Sequence, residues 1–327
     1  MLTRRACLAL PALIAASRLA AQSPWDAVSA RAAQMDQLHS VMVAQEGRIV
    51  LARRVRGPAL DRPANVKSVS KTLVATLAGT AIDRGEIPGL DATIGALAPG
   101  LVPPRADPRV PRLTVENLIT MQAGLERTSG ANYGAWVSSP DWVADALSRP
   151  FVAEPGACML YSTGSYHVLG AILAEVTGES LLELARNRLG RPLDMPFAPW
   201  VADPQGYYLG GNDMATSPEG LLRFAEAIRQ GGGDVVSRRW VEDSFRPRTR
   251  SPYSGLDYGL GWFLGRPGGT RLALARGYGG QIAATAPDLG LSLVITSDPT
   301  RPARSQGYFG DLMALIEQAI LPAARAA

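Results

Sequence analysis

The stretch Asn65-Val66-Lys67-Ser68-Val69-Ser70-Lys71-Thr72 opens an apolar run, Leu73, Val74, Leu77, Ala78 and Ile82, that stops near Gly85. The spacing of these apolar positions predicts a helix. Ser68 and Lys71 stand three residues apart, so a helix places them on one face and within reach of each other. Ser70 and Lys71 are adjacent and point apart, which makes Ser70 the weaker nucleophile candidate. A serine in the first helical turn also sits where unpaired backbone N–H groups and the helix dipole favour negative charge. An attacked carbonyl needs such surroundings as its oxygen becomes an oxyanion.

Of the 33 basic side chains only two are lysines, Lys67 and Lys71. Arginine stays protonated in proteins, whereas a buried lysine can lose its proton and act as a base. The two residues with that capacity therefore flank the serine that could use it. S-x-x-K is short enough to arise by chance, so its weight comes from what accompanies it.

A Ser-His-Asp triad would need a histidine. The chain has two: His39, at the start of an apolar strand, and His167, inside a helical run from Gly164 to Thr177. Both read more simply as core or surface residues than as catalytic ones. There is no G-x-S-x-G elbow, no H-E-x-x-H and no Walker loop, and no metal or organic cofactor is called for. Two further segments carry chemistry. Tyr161-Ser162-Thr163 follows Glu154-Pro155-Gly156 and precedes a helix, so the Tyr161 phenol could project into a cleft and relay a proton. An ordinary packed aromatic is the competing reading. Arg276-Gly277-Tyr278-Gly279-Gly280-Gln281 leads into a strand, and glycines there let a backbone edge approach a substrate. A tight hairpin turn explains the same residues.

Along the chain, Trp25 to Met35 reads as a helix. Val41 to Val43 and Ile49 to Leu51 read as a hairpin around Gln45-Glu46-Gly47. Helical signals dominate from Gly85 to about Arg250. Ser139-Pro140 and Ser217-Pro218 mark helix starts, and Gly178 and Gly190 mark helix stops. Strands return over Tyr258 to Leu264, Arg271 to Ala275, Gln281 to Ala286 and Leu291 to Thr296, before a final helix from Gln306 to Leu321. Strands at both ends with helices between predict an α+β fold: an antiparallel sheet built from residues 22–85 and 251–327, with 86–250 as an inserted all-helical domain.

The ordered set S-x-x-K, Y-x-x and a Gly-rich entry to a C-terminal strand resembles the serine β-lactamase and penicillin-recognising superfamily, in a layout similar to its class C branch. Leu38-His39-Ser40, Leu113 to Leu125, Tyr161 to His167, Tyr208 to Asp213 and Gly277 to Gln281 extend the likeness. Together they resemble the branch holding the 6-aminohexanoate-oligomer hydrolases and related carboxylesterases. The resemblance implies a β-lactamase/transpeptidase-like fold, with Ser68 as nucleophile, Lys71 as its base partner and Tyr161 as the second proton-transfer residue. It also implies an oxyanion hole from the backbone N–H groups of Ser68 and Tyr278, with Thr163, Arg276 and Gly277 as substrate-binding candidates. Two positions depart from the pattern. Thr163 stands where Y-x-N has asparagine, and Ala275-Arg276-Gly277 stands where β-lactamases have K-T-G.

Residues 1–21 read as an export signal. Arg4 and Arg5 precede the apolar stretch Ala6 to Ala16, and small residues end at Ala21. Thr3-Arg4-Arg5 with Leu8 resembles a twin-arginine signal. Cleavage after Ala21 removes three arginines and takes the net charge from +4 to +1 (4 − 3). That removes the electrostatic basis for nucleic-acid binding. Only Cys158 would remain, so no intramolecular disulfide is expected. No apolar run is long enough to span a membrane after that cleavage.

The expectation is an exported serine hydrolase that cleaves small amides or esters through a Ser68 acyl-enzyme, in which Lys71 or the Tyr161 phenolate takes the Ser68 proton and Tyr161 returns one to the leaving group. The alternative is a penicillin-binding or cell-wall-sensing protein that acylates and hardly turns over. Lys71→Arg tests the role of the lysine. A guanidinium keeps the charge but, with a pKa above about 12, cannot serve as a base near neutrality. A folded variant with activity down by roughly 10³-fold is expected. Retention of more than about a tenth of kcat/KM, a loss under about 1.4 kcal/mol, would reduce Lys71 to an electrostatic partner.

Overall fold

A computed structural model of the protein describes residues 23–304 and 306–326; the expected signal segment 1–21 lies outside the described residues. Among the described residues eleven short strands account for the sheet structure. β1 (Leu38–Gln45) and β2 (Arg48–Arg54) form the expected hairpin. β3 (Ala64–Asn65), β4 (Phe197–Ala198) and β5 (Ala215–Thr216) make a small sheet in the order β3-β5-β4. β6 (Thr249–Arg250), β7 (Asp257–Tyr258), β8 (Phe263–Gly265), β9 (Leu272–Gly277), β10 (Gln281–Ala286) and β11 (Leu291–Ser297) complete an eight-stranded sheet. Its order is β2-β1-β11-β10-β9-β8-β7-β6. Every pairing is antiparallel. The hairpin from the start of the chain therefore docks onto the last strand, β11, which is the sheet built from both ends that the sequence predicts.

Every residue of β10 and β11 is buried, so both faces of the central sheet are covered. The register Gly277↔Gln281, Ala283↔Val294 and Ala44↔Ser292 places these residues on one face. The helices Val69–Asp83 and Pro218–Arg229 pack there, and Glu226 accepts the hydroxyl of Ser292 at 2.8 Å. The helix Pro24–Ala33 and the C-terminal helical segment beginning Tyr308–Leu315 cover the other. The helix Val69–Asp83 is buried at thirteen positions, and the long helix Thr163–Thr177 crosses it from the helical region.

Four expectations are corrected. Tyr258 to Leu264 is not one strand, because the chain turns inward between β7 and β8 to give the Gly261 carbonyl to the Thr72 hydroxyl at 2.6 Å. The helix expected after Ser139 runs Trp142–Ser148, with Asp141 as its cap: its carboxylate accepts from the Ala144 N–H at 2.8 Å. Gly190 does not stop its helix, which continues through a wide turn at Ala185–Gly190 into Arg191–Leu193 and ends at Asp194 in the left-handed region. Helix Pro218–Arg229 belongs to the sheet's covering layer, although its sequence lies within the span expected to be a helical insertion. Its strongly one-sided apolar face (Leu221, Leu222, Phe224, Ala225, Ile228) needs that flat partner. The Ser217 cap holds as expected, accepting from Gly220 N–H at 3.0 Å.

Gly79, inside the helix Val69–Asp83, tests this packing. A Cβ there would lie 2.5 Å from the indole of Trp240, on the neighbouring helix Arg238–Ser244. Gly79→Ala gains about 1 kcal/mol of helix propensity but forces an overpacked contact costing about 1–3 kcal/mol. Chemical denaturation is expected to show a net loss of stability. A more stable variant would show that Trp240 moves aside freely.

Candidate active site

The turn that presents Ser68 is held by its neighbours. β3 delivers Asn65, whose side-chain oxygen accepts the Lys67 N–H at 2.9 Å and whose amide donates to Asp213 at 2.8 Å. Lys67 takes a positive φ of 50°, strained for a residue with a Cβ. Its ammonium donates to the same Asp213 oxygen at 2.8 Å. Ser70 is fully buried; it donates to the Lys67 carbonyl at 2.5 Å and accepts from the Met214 N–H at 3.1 Å. Both capacities of that hydroxyl are spent on fixing the turn. Ser68 caps the helix with helical φ/ψ and no side-chain capping bond, so its hydroxyl stays free to face the cleft.

Lys71 is 2% exposed. Its Nζ donates to Ser68 Oγ at 3.1 Å, Thr163 Oγ1 at 3.3 Å and the Gly211 carbonyl at 2.6 Å. Among the described residues no carboxylate forms an ion pair with it. Burial holds its pKa below the ordinary lysine value, opposed in part by the Tyr161 phenol and the Asp213 carboxylate. The two lysines thus have different roles: Lys67 is ion-paired and Lys71 is not.

Tyr161 lies over Lys71, with Nζ 4.9 Å from its ring centroid. Tyr166 also approaches, at 5.9 Å, but its hydroxyl donates to the Ile119 carbonyl at 2.7 Å and lies 3.0 Å from Tyr258 Oη. Burial pushes the phenols of Tyr166 and Tyr258 up, leaving Tyr161 as the phenol beside Lys71 that opens to the cleft. Hydroxyls tie this wall together. Ser129 Oγ is 2.9 Å from Thr163 Oγ1 and accepts the Thr163 N–H at 2.9 Å, and Thr128 accepts the Gly164 N–H at 2.7 Å.

The opposite wall is the end of β9. A Cβ on Gly277 would lie 2.4 Å from the Val66 carbonyl, so only glycine lets the strand come this close to the Ser68 turn. Among the described residues the N–H groups of Ser68 and Tyr278 donate to no protein acceptor. They flank a cleft of about 600 Å³ lined by Ser68, Tyr161, Thr163, Arg276, Gly277 and Tyr278, with others. β8 pairs with β9 only from Leu274 back, so the edge of β9 beyond it is open. Ala275 shares the face of Gly277, and Arg276 points to the other face, where its guanidinium stacks 3.5 Å from the Phe309 ring centroid. Arg276 therefore does not stand where the K-T-G lysine would project.

All the candidate residues read from the sequence line this one cleft or its floor. The histidines do not line it. His167 is buried against Asp203, Nε2 to Oδ2 2.9 Å, between the rings of Trp136 and Trp142. His39 packs against Gly57, and its backbone carbonyl accepts the Val55 and Arg56 N–H groups. Sequence reasoning missed Asp213, Asn65, Ser129, Arg127 and the Gly211 carbonyl. Gly210 to Asp213 lay in a segment quoted for its likeness, but nothing in the sequence tied it to either lysine.

Ser68→Ala is expected to lower kcat by roughly 10⁴-fold or more while leaving the fold intact. Ser70→Ala leaves a buried N–H and carbonyl unmatched, so it should destabilise by about 1–3 kcal/mol yet keep a reactive nucleophile. Steady-state rates with thermal melts check both, and the reverse pattern would move the nucleophile to Ser70.

With this geometry in view, three relatives are informative. Esterase EstB of Burkholderia gladioli is 29% identical over 221 residues, 60% of this chain and 55% of that protein. The chain spans about half the length of the curated relatives it matches. Among solved structures, a Bacillus anthracis protein with the provisional name 6-aminohexanoate-dimer hydrolase superposes with a TM-score of 0.72 at 16% identity. That match covers 89% of this chain and 80% of the other. EstCE1, a hydrolase with promiscuous acyltransferase activity, superposes with a TM-score of 0.73 at 18% identity, over 91% and 97%. The Beta-lactamase family matches residues 33–317, nearly the whole described chain, and on that match the protein belongs to the Beta-lactamase family.

Proposed function

We propose that the protein is an exported serine hydrolase that cleaves small amides or esters by a Ser-Lys-Tyr mechanism. The observation that carries this reading is Lys71: buried, without an ion-pair partner, and 3.1 Å from Ser68 Oγ. In its neutral form Lys71 takes the Ser68 proton as the hydroxyl oxygen attacks the substrate carbonyl. The N–H groups of Ser68 and Tyr278 hold the resulting oxyanion, at positions where electrostatic stabilisation is worth most. Tyr161 passes a proton to the leaving group as the tetrahedral intermediate collapses to the Ser68 acyl-enzyme. The Tyr161 phenolate takes a proton from water as that water attacks the acyl carbonyl, and the Lys71 ammonium returns its proton to the Ser68 oxygen as the acid leaves, which restores neutral Lys71 and the Tyr161 phenol. Residues 1–21 support export, and the names of the esterase relatives support ester cleavage. Ala275, in place of the K-T-G lysine, argues against a strong β-lactamase.

Turnover of p-nitrophenyl acetate with stoichiometric release of acid, lost in Ser68→Ala, supports the reading. A burst equal to the enzyme concentration with no steady state would favour the penicillin-binding alternative.

The pH profile has a defined sign. Lys71 acts when neutral, and its pKa is lowered by burial, so the acid limb of kcat/KM should fall below the ordinary lysine range. The charged or titratable groups facing it are Tyr161, Tyr166, Asp213 and, through Asp213, Lys67. Asp213→Asn removes a carboxylate that favours the ammonium and should move the limb to lower pH. Lys67→Met leaves that carboxylate uncompensated and should move it to higher pH. An unmoved limb in both variants would assign it to a different group.

A further inference from the structure

The Tyr278 N–H stands at the cleft, yet nothing about Tyr278 itself fixes it there. Its side chain is 53% exposed, so packing of the ring does not set the backbone. Its neighbours Gly277, Gly279 and Gly280 carry no side chain that could. The anchor is the residue that follows them. Gln281 is 1% exposed, and both ends of its amide are engaged. Nε2 donates to the Ser297 carbonyl at 2.8 Å and, at a longer 3.4 Å, to the Tyr278 carbonyl, while Oε1 accepts the Ser297 N–H at 3.1 Å.

These bonds close a gap in the sheet. β10 pairs with β11 from Ile282↔Ile295 onward, so beside Ser297 the backbone of β10 has already turned away. The Gln281 amide supplies a donor and an acceptor in its place, as a backbone peptide would. The same amide reaches the turn. A peptide unit is planar, so the Gly277 carbonyl and the Tyr278 N–H are one rigid group pointing in opposite directions. The Gly280 N–H holds that carbonyl at 3.2 Å. Gln281 holds the carbonyl of the next peptide, that of Tyr278. The turn also lies tight against the end of β11: a Cβ on Gly279, at φ 79°, would sit 2.3 Å from the Asp298 carbonyl. Two successive peptides are thus held by their carbonyls, and among the described residues the N–H of the first is left without a protein acceptor.

We propose that Gln281 is a positioning residue for oxyanion stabilisation: its amide ties the turn from Gly277 to Gln281 onto Ser297 and so holds the Tyr278 N–H toward the carbonyl that Ser68 attacks. Gln281 is not among the residues that line the cleft, so it acts through Tyr278. A donor aligned in advance stabilises the developing charge without reorganising as the reaction proceeds. A donor that swings away weakens steeply with angle. Gln281 therefore serves the transition state and contributes little to substrate binding. Its part in catalysis rests on the hydrolase reading; its hold on the turn does not.

Two variants separate this role from a merely structural one. Gln281→Glu keeps the shape and the acceptor for the Ser297 N–H but loses the N–H donors, and Gln281→Met loses every one of these bonds. Each is expected to lower kcat for phenyl butyrate by about tenfold or more with KM within about threefold, a share of the roughly 10²-fold carried by one oxyanion donor. The specific readout is the ratio of kcat/KM for phenyl butyrate to that for O-phenyl thionobutyrate, whose sulfur is a poor acceptor for the N–H groups. A loss of folded protein scales both rates and cancels. The ratio should fall about tenfold in both variants. A lower kcat with the wild-type ratio kept would make Gln281 a structural residue and overturn the proposal, as would wild-type rates in Gln281→Glu. Amide hydrogen exchange supplies a readout that needs no catalysis. In Gln281→Glu, residues 278–283 should exchange about tenfold faster than in the wild type, with the helix Val69–Asp83 unchanged. Unchanged exchange in that segment overturns the proposal even if esters are cleaved. Wild-type protein that cleaves neither ester defeats the hydrolase reading, and faster exchange in the variant then still upholds the hold of Gln281 on the turn.

Discussion

The burial of one lysine without a carboxylate partner is the constraint on which the site depends. An ammonium removed from water costs several kcal/mol unless its charge is answered or given up. Lys71 has hydroxyl and carbonyl acceptors in Ser68, Thr163 and Gly211 and no anion among them. These groups hold its position while leaving its proton weakly held. Had Asp213 turned its carboxylate onto Lys71, the ammonium would be stabilised, against the role proposed for Lys71 as a base. The structure commits that carboxylate to Lys67 and Asn65.

Much of the local architecture serves to keep this arrangement in register. The strained turn at Lys67 is held by the Asn65 side chain and by the Ser70 hydroxyl, which spans the Lys67 carbonyl and the Met214 N–H. Gly277 lets β9 close on Val66, so the Tyr278 N–H stands opposite Ser68. Thr72 anchors the helix to the Gly261 carbonyl at the foot of β8. The first turn of one helix is thus tied to three separate parts of the chain: residues 211–214, the β7–β8 turn and the end of β9.

The long interval between the lysine pair and residues 211–214 explains why both halves of the molecule are needed. Helix Thr163–Thr177 supplies Thr163 and, just before it, Tyr161. The end of β9 supplies Gly277 and Arg276 and leads into Tyr278 on the opposite wall. The cleft is the seam between them, which is where a concave site can draw on residues far apart in sequence.

The sequence by itself determined the sheet from both chain ends, the apolar helix after Ser68 and the pairing of Ser68 with Lys71 on one helical face, because each leaves a local pattern, whereas Tyr161 stood out only through the likeness to the family. Alternating apolar residues mark the strands, a three-residue spacing marks the Ser-Lys pair, and the loss of all other lysines isolates it. The Ser217 cap was legible for the same reason, while the cap at Asp141 and the break between β7 and β8 were not. Each of those depended on a competing partner: a better-placed carboxylate in one case, and the Thr72 hydroxyl in the other. Only the tertiary structure decided that Lys67 and not Lys71 receives Asp213, that Ser70 is spent on the backbone, and that Arg276 faces away from Gly277 onto the Phe309 ring. Apart from the Lys67 carbonyl beside Ser70, the partners in these contacts lie tens to more than a hundred residues apart. Charge pairing and side-chain direction at such separations are set by how strands register and helices cross, which no local pattern of residue types records.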